Sequence, residues 1–191
     1  MEYLFIILGS YSLGSIPFGF LLTKIFLKKD IRKIGSGNIG ATNALRTGNR
    51  SLGYTTLVLD IAKAILPVLY VKYNYSDYIF IASLCTFLGH VFPIWLKFKG
   101  GKGVATYVGI LFSINLIFGL IFIGSWVIIF LITRYSSLSS LVASAVVPIY
   151  LTIFENHNSI FFIIMFILIF YTHRENVKRL KNKEESKTKI Y

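Results

Sequence analysis

Residues 104–133 read VATYVGILFSINLIFGLIFIGSWVIIFLIT, thirty positions without a charge. One bilayer crossing takes roughly 20 apolar residues, so the run is too long for one span and short for two. The charges around it arbitrate, because cytoplasmic loops collect Lys and Arg. Eighteen of the twenty basic residues fall in four places: 24–50, 97–102, Arg134 and the segment after Tyr171. All four share one side of the membrane only if 104–133 crosses twice, turning near Gly119, or dips in and returns.

Working outward, the other apolar runs are Tyr3–Leu22, Leu52–Val71, Tyr78–Leu96, Leu138–Phe154 and Ile160–Tyr171. The first is interrupted by Gly14-Ser15-Ile16-Pro17-Phe18-Gly19, where proline breaks the hydrogen-bond ladder and small residues allow close packing. The expected fold is an all-α integral membrane protein with seven transmembrane helices, the N-terminus outside and the C-terminus cytoplasmic. Five full spans plus a re-entrant pair is the alternative. Residues 1–180 form one polytopic domain, and 181–191 a polar, mobile basic tail.

Composition agrees. Of 191 residues 55% are hydrophobic, and the mean hydropathy is +0.68. The formal charge of +12 is accounted for by topology, so a nucleic-acid partner is unnecessary. Cys85 stands alone in an apolar run and excludes a disulfide framework. Met1-Glu2 leads straight into apolar sequence without a basic segment, which reads as a first span rather than a cleaved leader.

Three polar stretches interrupt this pattern on the basic side. The first is Gly35-Ser36-Gly37-Asn38-Ile39-Gly40-Ala41-Thr42-Asn43-Ala44-Leu45-Arg46. Its glycines let successive N–H groups turn toward one point, an anion nest. Ser36, Asn38, Thr42 and Asn43 add neutral hydrogen-bonding groups, and Arg46 a forked cation suited to phosphate. The embedded G-x-G-x-x-G carries little weight, since it lies between membrane spans rather than between a strand and a helix.

The second stretch, Lys99-Gly100-Gly101-Lys102-Gly103-Val104, departs from the P-loop because Gly103 follows the lysine. What remains is a glycine loop entering a helix N-terminus, with Lys102 beside it, or a basic loop that merely orients the span. The third is Thr172-His173-Arg174-Glu175-Asn176-Val177-Lys178-Arg179-Leu180. Here His173 and Asn176 are placed three apart, on one helical face. A basic helix lying on anionic headgroups needs the cations but neither of these two.

Elsewhere, Asp60 and Lys63 are expected to neutralise each other inside the bundle. His90, late in its span, is a functional group or a histidine satisfied by a helix carbonyl. His157 falls in an outer loop. No carboxylate cluster suits Mg²⁺, no His/Cys spacing suits zinc, and no cofactor fingerprint is present. The expected chemistry is metal-free phosphate recognition at a membrane surface.

Gly-Ser-Gly-Asn-Ile-Gly-Ala-Thr-Asn (35–43) with Arg46, Gly-His-Val-Phe-Pro (89–93) leading into Lys-Gly-Gly-Lys-Gly-Val-Ala (99–105), and His-Arg-Glu-Asn (173–176) resemble the bacterial acyl-phosphate-dependent glycerol-3-phosphate acyltransferases, the PlsY family. Gly-Ser-Ile-Pro-Phe-Gly (14–19), Asp60 with Lys63, and Arg-Tyr-Ser-Ser-Leu-Ser-Ser (134–140) extend the likeness to about Leu180. Ile39 stands where the pattern has proline, and Thr172 where it has a basic residue.

The resemblance implies a multi-pass enzyme of the bacterial cytoplasmic membrane, its active site facing the cytoplasm and no cofactor required. It implies transfer of a fatty acyl group from acyl-phosphate to the 1-hydroxyl of sn-glycerol 3-phosphate, giving lysophosphatidate and phosphate. Membrane lipid and the soluble enzyme that makes acyl-phosphate are the implied partners. Ser36, Asn38, Thr42, Asn43, Arg46, Lys102, Ser137, His173 and Asn176 are implied to bind the substrates. Of these Ser36, Arg46, Lys102, His173 and Asn176 are implied to be catalytic. Ser136, Ser139 and Ser140 compete for the role given to Ser137. The base is His173 or a substrate phosphate. The competing classes are an anion transporter, which needs a polar path through the bilayer, and a scaffold for the soluble enzyme.

Overall fold

The computed structural model describes residues 2–154 and 159–188. Glu155 and His157 of the expected outer loop, and Lys189 of the tail, lie outside the described residues. The chain folds into two compact units, Met1–Ile114 and Asn115–Tyr191.

In the first unit, α1 (Glu2–Gly14) and α2 (Phe18–Leu27) are separated at Pro17, whose missing N–H ends the helical ladder. A one-turn 3₁₀ segment, Ile31–Lys33, and the short α3 (Ala41–Leu45) lead to α4 (Arg50–Asn74), α5 (Ile79–Val91) and α6 (Val104–Ile114). The long α4 is central and packs against α1, α2, α3, α5 and α6, while α1 crosses α5. That crossing needs glycine on both sides. A Cβ on Gly14 would strike the Thr86 carbonyl, and one on Gly89 the Tyr11 carbonyl. Backbones meet here as small-residue packing in lipid requires.

The second unit comprises α7 (Leu116–Thr133), α8 (Ser136–Phe154), α9 (Ser159–Thr172) and α10 (Arg174–Lys181). Its α8 packs against α7 and α9, and α10 touches α8 and α9. Phe118 of α7 meets Phe162 of α9 edge to face, centroids 5.4 Å apart.

Large apolar side chains point outward, among them Phe5, Phe26, Leu66, Ile132, Ile153 and Ile167, while Thr23, Thr56, Asp60, Ser83, Thr86 and Ser144 are buried. Water would penalise that arrangement, but lipid tails solvate the apolar surface. Several buried hydroxyls are satisfied by returning to their own helices: Thr23, Thr56, Thr86 and Ser113 each donate to the carbonyl four residues earlier. Five segments among the described residues are long and apolar enough to cross a membrane, and the bent pair α9–α10 adds a sixth if counted as one span. The molecule is an all-helical, multi-pass membrane protein.

The run at 104–133 does break in two, but at Asn115 rather than near Gly119. Asn115 is extended (φ −153°, ψ 132°), and its side chain caps α7 by accepting from the Ile117 N–H. Asparagine makes that bond and glycine cannot, so the break goes to the residue that satisfies the exposed donors. Gly119 is buried inside α7. With 11 residues α6 is about 16 Å long, well short of a full crossing.

Candidate functional site

In the first unit, the stretch from Gly35 to Arg46 is a wound loop whose hub is Asn43. The Asn43 amide donates to the carbonyls of Ile31 (3.2 Å), Ile34 (2.9 Å) and Asn38 (2.7 Å), and its oxygen accepts from the Ser36 N–H at 3.0 Å. Asn38 accepts from the Gly40 N–H at 2.9 Å. Gly35 and Gly37 have φ of +52° and +71°, the left-handed conformation that lets the chain wrap the amide. A side chain on Gly35 would also run into Asn43 and into the Arg46 side chain, so the arginine lies against the loop it serves. Asn43 is buried, whereas Ser36, Thr42 and Arg46 are exposed and Asn38 is half-buried. The geometry gives Asn43 the task of shaping the loop, and leaves hydroxyls and a guanidinium at its surface.

At the mouth of this loop, Asp30 caps the 3₁₀ segment and pairs with Arg32 at 2.7 Å. The hydrogen bonds from Arg32 hold its carboxyl down at about 2.

Lys102 sits on a second loop that folds back along the end of α5. Gly100 and Gly101 donate to the carbonyls of Val91 (3.0 Å) and His90 (3.1 Å), which the end of the helix would otherwise leave open. Only glycine fits: a Cβ on Gly100 meets the His90 carbonyl, and one on Gly101 meets the His90 ring. Gly103 then turns the chain at φ +84° into α6, so the glycine loop enters a helix N-terminus as its sequence indicates. Leu96, just before this loop, shares an apolar cluster with Ile31, Ile39 and Ala44 of the first. Both loops are thereby held at the same end of the unit.

Beneath them lies a buried polar node. Lys63 Nζ is 2.8 Å from Asp60 Oδ1 and donates to the Ile16 carbonyl at 2.6 Å, the mutual neutralisation expected for this pair. His90 is buried, with no hydrogen-bond partner at Nδ1 among the described residues. Its Nδ1 lies 3.8 Å from Asp60 Oδ1 and its ring covers Gly101.

In the second unit, Ser137 stands in the first turn of α8, and His173 at the 62° bend between α9 and α10. The last apolar run therefore does not continue straight into its basic end. His173 Nδ1 is 2.8 Å from the Ile169 carbonyl. A carbonyl only accepts, so the proton of the neutral ring is on Nδ1 and the lone pair on Nε2. Ser137 Oγ and Asn176 Nδ2 both donate to Glu185 Oε1 at 2.7 Å, and Arg179 Nε donates to Oε2 at 2.6 Å. Of the competing hydroxyls, Ser139 and Ser140 donate to the Tyr135 and Ser136 carbonyls at the start of α8.

Arg179 and Glu185 are not among the site residues expected from the sequence, which reads the tail as mobile. In the structure residues 182–188 are fastened down: Thr188 N–H donates to the Arg134 carbonyl at 2.9 Å, and Lys187 lies over the Tyr135 ring. No local pattern announces a partner 48 residues away in sequence. Beside these donors runs a shallow apolar groove of about 450 Å³, lined by Leu138, Leu141, Val142, Phe166, Phe170 and Val177. Among the described residues no group of three His, Cys, Asp or Glu is placed to hold a metal.

Residues 4–183 match the family model described as glycerol-3-phosphate acyltransferase. The glycerol-3-phosphate acyltransferase of Pelagibacter ubique (strain HTCC1062) is 81% identical over the whole of both chains. That of Brucella canis is 49% identical, over 93% of this chain and 89% of its own. The crystal structure of PlsY, an integral membrane glycerol 3-phosphate acyltransferase, in its glycerol 3-phosphate form superposes with a TM-score of 0.91. It is 34% identical and covers 98% of this chain and 96% of its own. The chain, with its wound glycine–asparagine loop and its bent basic C-terminal helix, belongs to the glycerol-3-phosphate acyltransferase family, the family of PlsY.

Proposed function

We propose that this protein transfers a fatty acyl group from acyl-phosphate to the 1-hydroxyl of sn-glycerol 3-phosphate, releasing lysophosphatidate and inorganic phosphate. The observation that carries this reading is an amphiphilic pairing in the second unit. Donors that hold an anion, Ser137 and Asn176, adjoin a groove that accepts an alkyl chain. The family supports glycerol 3-phosphate as acceptor, and the related PlsY structure also exists in a lysophosphatidic acid form.

Both substrates carry phosphate, and the two units divide the recognition chemistry. Ser36, Asn38, Thr42, Arg46 and Lys102 of the first unit bind phosphate, with Asn43 holding their loop in shape. Ser137, His173 and Asn176 of the second serve the same reaction. Ser36, Arg46, Lys102, His173 and Asn176 are the catalytic set. Within residues 1–180 the chain crosses the bacterial cytoplasmic membrane seven times, the short α6 completing its passage together with the glycine loop before it, with the N-terminus outside and the C-terminus inside, so the basic loops meet the soluble substrate.

Acyl-phosphate is already activated, so no covalent enzyme intermediate is needed. The acceptor oxygen attacks the acyl carbon, the hydroxyl proton passes to a substrate phosphate oxygen, and the bond between carbonyl carbon and phosphate oxygen breaks. Positioning supplies up to about 7–11 kcal/mol of the barrier. His173 Nε2 is the protein's own basic lone pair and orients the hydroxyl. Purified protein given labelled glycerol 3-phosphate with acyl-phosphate, or with acyl-CoA, tests the reading. Lysophosphatidate is expected from acyl-phosphate alone. Transport of phosphate across vesicles without acyl transfer, or an acyl group trapped on Ser36, defeats it.

A further inference from the structure

The second unit already holds an anion of its own. Beyond α10 the chain reverses through Lys183, which is left-handed at φ +60°, while Glu184 N–H returns to the Arg179 carbonyl at 2.8 Å. This is the six-to-one closure that ends many helices, here without glycine. The reversal delivers the Glu185 carboxylate to three donors from two helices: Ser137 of α8, and Asn176 and Arg179 of α10. Ser137 lies in the first turn of its helix, where the dipole favours negative charge. The Glu185 side chain is only 7% exposed. Burial raises its proton affinity, but the bonds from Ser137, Asn176 and Arg179 outweigh burial and hold its carboxyl below the ordinary value. It is therefore ionised at neutral pH.

We propose that Arg179 is a third phosphate ligand beside Ser137 and Asn176, and that Glu185 fills their anion site until a substrate phosphate displaces it. The inference rests on the reading of Ser137 and Asn176 as substrate ligands. A hydroxyl, an amide and a guanidinium nitrogen converging on one carboxylate make the donor set that a phosphate monoester or acyl-phosphate requires. Phosphate brings a third oxygen and a second negative charge, so it outcompetes the carboxylate at sufficient concentration. The tail carboxylate is tethered within four residues of the end of α10 and acts at an effective concentration on the order of millimolar. Competition of that strength raises the apparent KM for the displacing substrate about two- to tenfold.

The experiment uses the purified full-length protein. In Glu185→Gln the KM for one of the two substrates should fall about two- to tenfold with little change in kcat. Whichever KM falls, glycerol 3-phosphate or acyl-phosphate, identifies the phosphate that takes the site. Arg179→Gln should raise that same KM, and Arg179→Lys should recover part of the loss. A readout without turnover is amide exchange over residues 182–188, which should quicken when inorganic phosphate is added to the wild type and be quick from the start in Glu185→Gln. Unchanged KM values in Glu185→Gln, or a tail whose exchange ignores phosphate, overturn the inference. If Arg46→Ala abolishes turnover while these are unmoved, acyl transfer stands and this inference alone falls. If phosphate frees the tail of a protein that transfers no acyl group, the anion site stands and the acyl-transfer reading falls.

Discussion

The two regions proposed to handle phosphate satisfy their polar groups in opposite ways. In the Gly35–Arg46 loop the asparagine is consumed by local backbone, with every Asn43 contact within twelve residues, and the groups left at the surface are a guanidinium and hydroxyls. In the second unit Ser137 and Asn176 spend themselves on a carboxylate that is 48 residues from the first and nine from the second. The first region is shaped in advance, and the groups proposed to bind phosphate lie at its surface. The second is built around a charge that can leave. Similar residue types therefore do different work: one amide orders a loop, the other grips an exchangeable anion.

The largest effect that could break this contrast comes from Arg46. Arg46→Ala should lower kcat/KM on the order of 10²–10³-fold, as removal of one charge-stabilising donor does, without a comparable loss of stability. Near-normal turnover would remove the first region from catalysis.

Next is Asn43→Asp, which keeps the shape but turns a donor into an acceptor facing three carbonyls. A loss of about 1–3 kcal/mol of stability is expected by thermal unfolding, with activity falling alongside. An Asp variant as stable as wild type would show that the amide is not the hub.

A smaller effect sharpens the mechanism. With a substrate phosphate as base, His173→Gln should cost less than about tenfold in kcat, since the ring only orients the hydroxyl. A loss of 10²–10⁴-fold, with a pH profile that loses its lower limb, would assign the proton to Nε2 instead.

The smallest concerns the tail. The Glu185 carboxyl is held below its ordinary 4.5, so the contact is at full strength above that value and is lost as pH falls through the lower value in the folded state. Amide exchange over 182–188, corrected for intrinsic rates, should be protected at neutral pH and lose protection only below the ordinary value of 4.5. Protection that fades between pH 5 and 7 would point to a different anchor.

Much of this was readable residue by residue. The apolar runs became helices, Pro17 ended α1, and Asp60 found Lys63 three positions on. Each is a local or additive effect: transfer energy sums along a segment, and a missing N–H or an i,i+3 pair acts within one turn. The break in 104–133 was legible too, but through the capping side chain of Asn115 rather than the glycine four residues later. Within a span a glycine is tolerated, whereas an uncapped helix start in lipid is not.

The amino-acid order alone determined that this chain is a helical membrane protein with glycine-rich basic loops, because hydrophobicity, charge and helix capping act over a few neighbouring residues. Only the tertiary structure decided that His90 covers Gly101 beside the Asp60–Lys63 pair, and that Ser137, Asn176 and Arg179 close on Glu185. Those meetings depend on how packed helices and a reversed tail bring distant donors to one acceptor. A hydrogen bond is short and directional, so its partners are chosen by geometry that no stretch of sequence carries by itself.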